Sequence, residues 1–443
     1  MTFTPTHLPL WLGQPAPRYT SYPPATQFRQ TTPAEGTVAL RELTNVESVS
    51  LYLHIPFCRS LCLFCGCHQA ITNRSERIAA YLDVLRQEMV SSARLWPHKL
   101  KIAHLHLGGG SPSILVPGQL HALMHTIREH YELLPGAEQA IELDPRTTTP
   151  ELIAALAQEG FNRASLGVQD FAPEVQMLVN RIQPFEMVER VMQQLRAAGI
   201  TALSLDLMYG LPGQTAASVH ETARMAVRLA PQRFSLFSYA HVPQMKPYQK
   251  KLEQAGLPTE QEKLNQEAAM REVLLHAGYR AIGIDHFALP DDKLARAARA
   301  GRLSRNFQGY TDDPAQAMLG FGASSISDTG HAYVQNEPDL EAYQQRVMRG
   351  EVPAKRICIR SAEDNRRAAL IRDLMCHCRL DLAAHGYSLA PFMPALQPYI
   401  EKGLVNVEGD VLRVDTTYRM AVRAVCTVFD QYYNPAALSS RVA

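Results

Sequence analysis

Four cysteines fall within ten residues of this 443-residue chain: Cys58, Cys62, Cys65 and Cys67, in the segment HIPFCRSLCLFCGCHQ. Three thiolates spaced Cys-x3-Cys-x2-Cys on one short loop can each hold a different iron of a cubane cluster. The fourth iron then keeps an open position, as catalytic zinc sites do. Such an iron can chelate the amino and carboxylate groups of S-adenosylmethionine (SAM). A reduced cluster can pass one electron into the adjacent sulfonium and break a C–S bond to release a 5′-deoxyadenosyl radical. Cys67 is the odd member, because a fourth ligand there would close the open position. The competing reading is a structural zinc site completed by Cys67, His54 or His68. Structural zinc uses paired short knuckles, and only one Cys-x2-Cys pair is present. The other four cysteines, Cys358, Cys376, Cys378 and Cys426, are scattered and read as small buried hydrophobes.

Other residues could complete such a site. Gly108, Gly109, Gly110 and Ser111 end a strand-like run, where bare backbone can approach a ligand and its carbonyls can accept from an ammonium group. A tight strand-to-helix turn is the alternative. Glu142 and Asp144 alternate with apolar neighbours, so both point to one face of a strand. If that face is interior, the carboxylates need donors such as ribose hydroxyls, an ammonium group or a structural salt bridge. Gln169 and Asp206 stand near strand ends beside Gly167 and Gly210. Lys293, Arg296, Arg299, Arg302 and Arg305 recur every third residue and predict a positive ridge on a helix, by default a solvated one.

These residues need a scaffold. Apolar extended runs at 50–55, 101–107, 140–145, 163–169, 203–210, 234–240 and 279–284 alternate with helical patterns such as Ile78, Leu82, Leu85 and Met89. Leu152 and Leu156 repeat likewise before a stop at Gly160. Strands alternating with helices predict βαβ units on a parallel sheet, hence an α/β fold with a full or partial (β/α) barrel. The expected organisation is an arm over 1–45 with seven prolines and little regular structure, a barrel and its extension over 46–350, and a mostly helical domain over 351–443. Lys plus Arg number 44 against 43 Asp plus Glu, a balance that argues against a polyanion binder and so against nucleic acid. No apolar stretch predicts a membrane span. The first basic residue is Arg18, so no signal-peptide pattern appears, and a cytosolic, reducing location is expected.

The segment LYLHIPFCRSLCLFCGC resembles the signature of radical-SAM enzymes, and its Gly66-Cys67 extension is similar to the oxygen-independent coproporphyrinogen III oxidases. PRYTSYP, HLHLGGGSPSIL, ELDPR, FNRASLGVQDF, DLMYGLPGQT, FSYAH and RNFQGYT resemble the rest of that family, in family order. The resemblance implies a partial barrel of the radical-SAM type. It implies oxidative decarboxylation of two propionates of coproporphyrinogen III to vinyls, giving protoporphyrinogen IX in anaerobic haem biosynthesis. Cys58, Cys62 and Cys65 would ligate a [4Fe–4S] cluster. Gly109, Gly110, Ser111 and Glu142 would contact the cluster-bound SAM. Gln169, Arg181, Asp206 and the backbone at Ala240 would bind a second SAM, with Tyr52, Phe64 and Ile326 supplying further contacts. No side chain is assigned as catalytic, because the cluster and SAM carry the chemistry. A flavodoxin- or ferredoxin-type electron donor and a monomer are expected. The substrate's carboxylates would meet either the arginine ridge or Arg18 and Tyr19 of the arm. A haem-binding or haem-delivery protein on the same scaffold is the alternative function. A nucleic-acid-modifying relative is disfavoured by the neutral charge.

Overall fold

Leucines at alternate positions decide which way each central strand faces. In β1 (Val49–Ile55) the side chains of Val49, Leu51, Leu53 and Ile55 are fully buried. They share one core with Ile78, Leu82, Leu85 and Met89 of helix α1 (Ser75–Ala93). The same alternation runs through β2 (Lys101–Gly109), β3 (Glu132–Leu143), β4 (Arg163–Gln169), β5 (Ala202–Tyr209) and β6 (Arg233–Ser238). Their intervening polar residues, among them His106, Glu142, Ser165 and Asp206, line an internal cavity of about 920 Å³. A strand that buries one face against helices and one around a cavity needs this period of two. The computed structural model describes residues 13–313, 315 and 317–435. Residues 1–12 of the expected arm and 436–443 of the expected C-terminal domain lie outside that description.

The parallel core closes on its first side with β7 (Ala317–Phe321), in the order β7-β1-β2-β3-β4-β5-β6. Helices α2 (Pro117–His130), α3 (Pro150–Glu159), α4 (Phe185–Ala197) and α5 (Ala216–Arg228) connect successive strands, and α6 (Glu260–His276) follows β6. Their boundaries are written locally. Thr149 accepts from Leu152 N–H at the start of α3, Pro150 takes the first turn, and Gly160 ends it with φ +88°. Antiparallel strands extend the sheet at both margins, and the two outermost do not meet, so the barrel is partial. The run at 279–284 is not a parallel unit. Arg280–Ile282 and His286–Ala288 form a hairpin beside β6, because a three-residue link can only join antiparallel strands.

Two boundaries differ from the sequence expectation. The arm contains a helix, Pro33–Arg41, whose Thr32 cap and Pro33 at the first position suit a helix start. Residues Ala354–Ile359, expected in the C-terminal domain, form a strand of the large sheet. Beyond them, helices Ala362–His377, Met393–Glu401 and Val422–Cys426 pack around a three-stranded sheet. Arm residues Ala16, Tyr19 and Tyr22 are buried in that unit's core beside Leu374, Val425 and Phe429. Among the described residues no helix is long and apolar enough to cross a membrane.

Candidate active site

The cysteine loop leaves the C-terminal end of β1, where parallel barrels gather their functional loops. Cys58, Cys62, Cys65 and Cys67 all line the cavity. The loop is tied from two sides. Asn180, at φ +55°, donates from Nδ2 to the Leu61 carbonyl at 2.8 Å, and Leu63 N–H bonds to the Val179 carbonyl at 3.0 Å. From the other side, Tyr248 Oη donates to the Cys65 carbonyl at 2.5 Å and Lys246 Nζ to that of Cys67 at 2.6 Å. Gln249, fully buried, donates from Nε2 to the carbonyls of Phe64 at 3.1 Å and Ala240 at 3.3 Å. Sequence reasoning missed these three anchors, because nothing in KPYQ marks residues that reach back 179 to 185 positions.

Two guanidiniums face Cys62. Arg146 Nη2 lies 3.3 Å and Arg181 Nη1 3.4 Å from its Sγ. Both arginines also hold Asp144, at 2.7 and 3.2 Å. Burial opposes ionisation of Asp144, yet the charge of Arg181 and the bonds from Arg146 outweigh it and keep the carboxyl below its ordinary value. Arg146 was visible in ELDPR but carried no role. Its place beside the thiol follows from the short Asp144–Arg146 turn.

The glycine turn at the end of β2 is set by space. A side-chain carbon on Gly110 would come within 2.7 Å of the Pro56 backbone, and one on Gly109 within 2.7 Å of the His54 ring. Gly109 also stands at φ +117°, where side chains are strained. Its N–H donates to Glu142 Oε2 at 3.1 Å, and Glu142 Oε1 meets His106 Nε2 at 3.1 Å. Burial of Glu142 is outweighed by His106 and this N–H, so the carboxylate is held below its ordinary range. Ser111 is buried, with its hydroxyl 2.9 Å from that of Ser113.

Across the cavity, a register shift between Gly167 and Gln169 puts Gln169 at φ +69°. Bulges re-aim side chains, and here the result is a half-buried Gln169 whose buried Oε1 has no hydrogen-bond partner. Arg181 donates to the Gly167 carbonyl at 2.6 Å, while its Nε is likewise unpartnered. Asp206 accepts from Ser165 Oγ at 3.1 Å, and burial pushes its carboxyl up to about 6. Phe64, Gly109, Gly110, Ser111, Glu142, Gln169, Arg181, Asp206 and Ala240 thus share one cavity wall system with the cysteines. Tyr52 and Ile326 do not line it. Tyr52 Oη lies 3.0 Å from His54 Nδ1 and its ring stacks on His106, whereas Ile326 packs near Phe28 and Tyr333.

The donor set suits an iron–sulfur cluster. Burial and the neighbouring thiols Cys65 and Cys62 push the Cys58 thiol up to about 12. Cys65 is driven down to about 6, chiefly by the hydrogen bond from Cys67, with Lys246 and Arg181 assisting against burial. Thiolates crowded in this way need a cationic metal centre among them to ionise together. Among the described residues no three His, Cys, Asp or Glu side chains converge to hold a single ion.

Comparison with known proteins identifies the family. Residues 52–226 match the Radical SAM superfamily. The oxygen-independent coproporphyrinogen III oxidase of Bradyrhizobium diazoefficiens is 44% identical over 428 residues, covering 95% of each chain. That of Escherichia coli is 39% identical over 430 residues, covering 95% of this chain and 94% of the relative. The solved structure of the Escherichia coli coproporphyrinogen III oxidase, described as a radical SAM enzyme, superposes with a TM-score of 0.88 at 39% identity, covering 94% of this chain and 98% of that one. With sequence and fold in agreement over almost its full length, the chain belongs to the oxygen-independent coproporphyrinogen III oxidases of the radical SAM superfamily.

Proposed function

We propose that this protein converts two propionate side chains of coproporphyrinogen III to vinyls without oxygen, giving protoporphyrinogen IX in porphyrin and haem biosynthesis. The observation that carries the reading is the joining of Cys58, Cys62 and Cys65 to the glycine turn, Glu142 and Asp206 around one large cavity. Each conversion removes a hydrogen atom from the carbon β to the carboxyl, then releases carbon dioxide and passes one electron to an external one-electron acceptor. When bound, a [4Fe–4S] cluster on the three cysteines and SAM supply the one-electron chemistry that general acid–base groups cannot provide for an unactivated C–H bond.

The chain's own residues bind, orient and shield. Arg146 and Arg181 compensate the charge of Cys62, and the anchors at Tyr248 and Gln249 fix the loop. Glu142, ionised and held by His106 and Gly109, is an acceptor for an ammonium group or ribose hydroxyl. The unpartnered Gln169 Oε1 and Arg181 Nε, with Asp206, support a second SAM in the same cavity. Arm residues 16–21 line the cavity and are held by the C-terminal unit, with Tyr19 Oη donating to Asp430 at 3.1 Å, an arrangement suited to excluding water. The same proposal includes action as a monomer in a reducing cytosol, with electrons from a flavodoxin- or ferredoxin-type donor.

The test is anaerobic reconstitution with iron and sulfide, followed by incubation with SAM, a reductant and coproporphyrinogen III. Formation of 5′-deoxyadenosine together with a divinyl product supports the reading. Haem binding without either product would replace it with a haem-carrier function.

Asp206 gives a pH signature. With its carboxyl raised to about 6, it is charged above that pH and neutral below it. SAM carries a net positive charge, so an ionised Asp206 favours its binding. The dissociation constant for SAM, followed by equilibrium dialysis, is expected to rise severalfold between about pH 7.5 and 5.5. Asp206→Asn should flatten that rise. An unchanged pH dependence in the variant would remove Asp206 from the SAM site.

A further inference from the structure

The arginine repeat read from the sequence does not form one ridge. Lys293, Arg296 and Arg299 lie on a helix of seven residues, with both arginines exposed. Arg305 lies beyond it on the strand Ser304–Asn306, its side chain only 6% exposed. There it stacks on Tyr310, 4.5 Å from the ring centre, and its Nε and Nη1 have no hydrogen-bond partner. Arg305 lines a small branch of about 50 Å³ together with Arg18 of the arm and Arg423 of the C-terminal unit. Arg18, Phe237 and Ser238 line both this branch and the main cavity. None of the cysteine-loop or glycine-turn residues does so.

Both signs of charge line the branch. Its acidic members are Asp285 and Glu267. Asp285 Oδ1 is engaged by His286 Nδ1 at 2.7 Å and stands 4.0 Å from Arg305 Nη1. Glu267 is paired with Arg271 at 3.1 Å, and burial raises its pKa. Arg423 is fixed by donating to the Ala16 and Pro17 carbonyls of the arm. Burial first, then the charges of Arg18 and Arg305, hold its guanidinium down to about 10. Three guanidiniums from three separate parts of the chain line this space of about 50 Å³, and the charges of Arg18 and Arg305 repel that of Arg423. An anion entering that space would relieve the repulsion and meet planar N–H forks shaped for a carboxylate.

We propose that Arg18 and Arg305, backed by Arg423, bind one carboxylate of the substrate in this branch, away from the cysteine loop, and so fix which propionates face the reacting centre. This inference rests on the tetracarboxylate substrate proposed above. A propionate lodged in the branch is a retained one, so the site acts on orientation and specificity and its arginines are positioning residues.

The experiment titrates anaerobically reconstituted holoenzyme with coproporphyrin III and, separately, with its tetramethyl ester, following porphyrin fluorescence. Wild type is expected to prefer the free acid. Arg18→Gln and Arg305→Gln should each weaken binding of the acid by roughly 10- to 100-fold, with little change for the ester and none for SAM. In turnover, KM for coproporphyrinogen III should rise far more than kcat falls, and Arg18→Lys should restore part of the affinity. Arg296→Gln, on the exposed helix, should match wild type. If Arg305→Gln does not fold, Arg18→Gln on the exposed arm residue decides alone. Unaltered preference for the acid in Arg18→Gln, with a wild type that forms vinyl product, would overturn this inference and leave the activity standing. A wild type that forms no vinyl product would overturn both.

Discussion

Replacing Cys62 by serine is expected to abolish SAM cleavage and vinyl formation together, with iron content after reconstitution falling well below that of wild type. Cys62 is the buried member of the cysteine set and the one that faces both Arg146 and Arg181. A serine hydroxyl would stay protonated there and is a poor iron ligand beside thiolates. Two remaining cysteines would leave the cluster short of a corner. The exchange removes little volume from the loop, and its anchors at Leu63, Phe64 and Cys65 are backbone bonds that serine preserves. Thermal unfolding of the metal-free protein should therefore shift by no more than about 1 kcal/mol. Iron retention with normal 5′-deoxyadenosine release in Cys62→Ser would contradict the proposed ligation.

The second large effect lies outside the cavity, at Glu88 of α1. Its carboxylate is buried and accepts from Tyr343 Oη at 2.5 Å, Asn336 Nδ2 at 2.7 Å and Gly322 N–H at 2.9 Å. These bonds join α1, the strand Ala332–Asn336, the helix Leu340–Met348 and the turn after β7. Tyr81, two turns away, donates to the His54 carbonyl at 2.8 Å and accepts from Ala323 N–H at 3.1 Å. Glu88→Ala would strand the Gly322 N–H and Tyr343 Oη, leave Asn336 with its bonds to Gly322 and Ser325, and open a void, at a cost of about 3–5 kcal/mol. Denaturant midpoints should fall accordingly, whereas Tyr343→Phe, which removes one bond, should cost about 1 kcal/mol. Equal midpoints for Glu88→Ala and wild type would show that the junction is held by apolar packing alone. Because the junction sits under His54 and the start of the cysteine loop, iron retention in Glu88→Ala should fall with stability.

What could be read from the sequence was whatever has a local pattern. The alternation in β1, β2 and β5 and the spacing of the cysteines are short-range signals, and the strands and the loop lie where they were expected. The antiparallel hairpin at 280–288 carries the same apolar composition as the parallel strands, so composition could not distinguish them. The helix at Pro33–Arg41 was hidden by the prolines around it, although proline at a helix start is favourable. Gln169 could be named but not its geometry, because a bulge depends on pairing with β5 rather than on its own neighbours. Gln249 and Arg305 were harder still. A glutamine at full burial and an arginine with unused donors acquire meaning only from partners remote in the chain.

The clasp between the two ends of the molecule bears on how it is made. Tyr19 and Asp430 are 411 residues apart, and Ala16 meets Arg423 across 407. Contacts of that separation form only once the last segment has emerged from the ribosome. Until then Ala16 and Tyr19 of the arm lack the C-terminal partners that hold them beside the cavity.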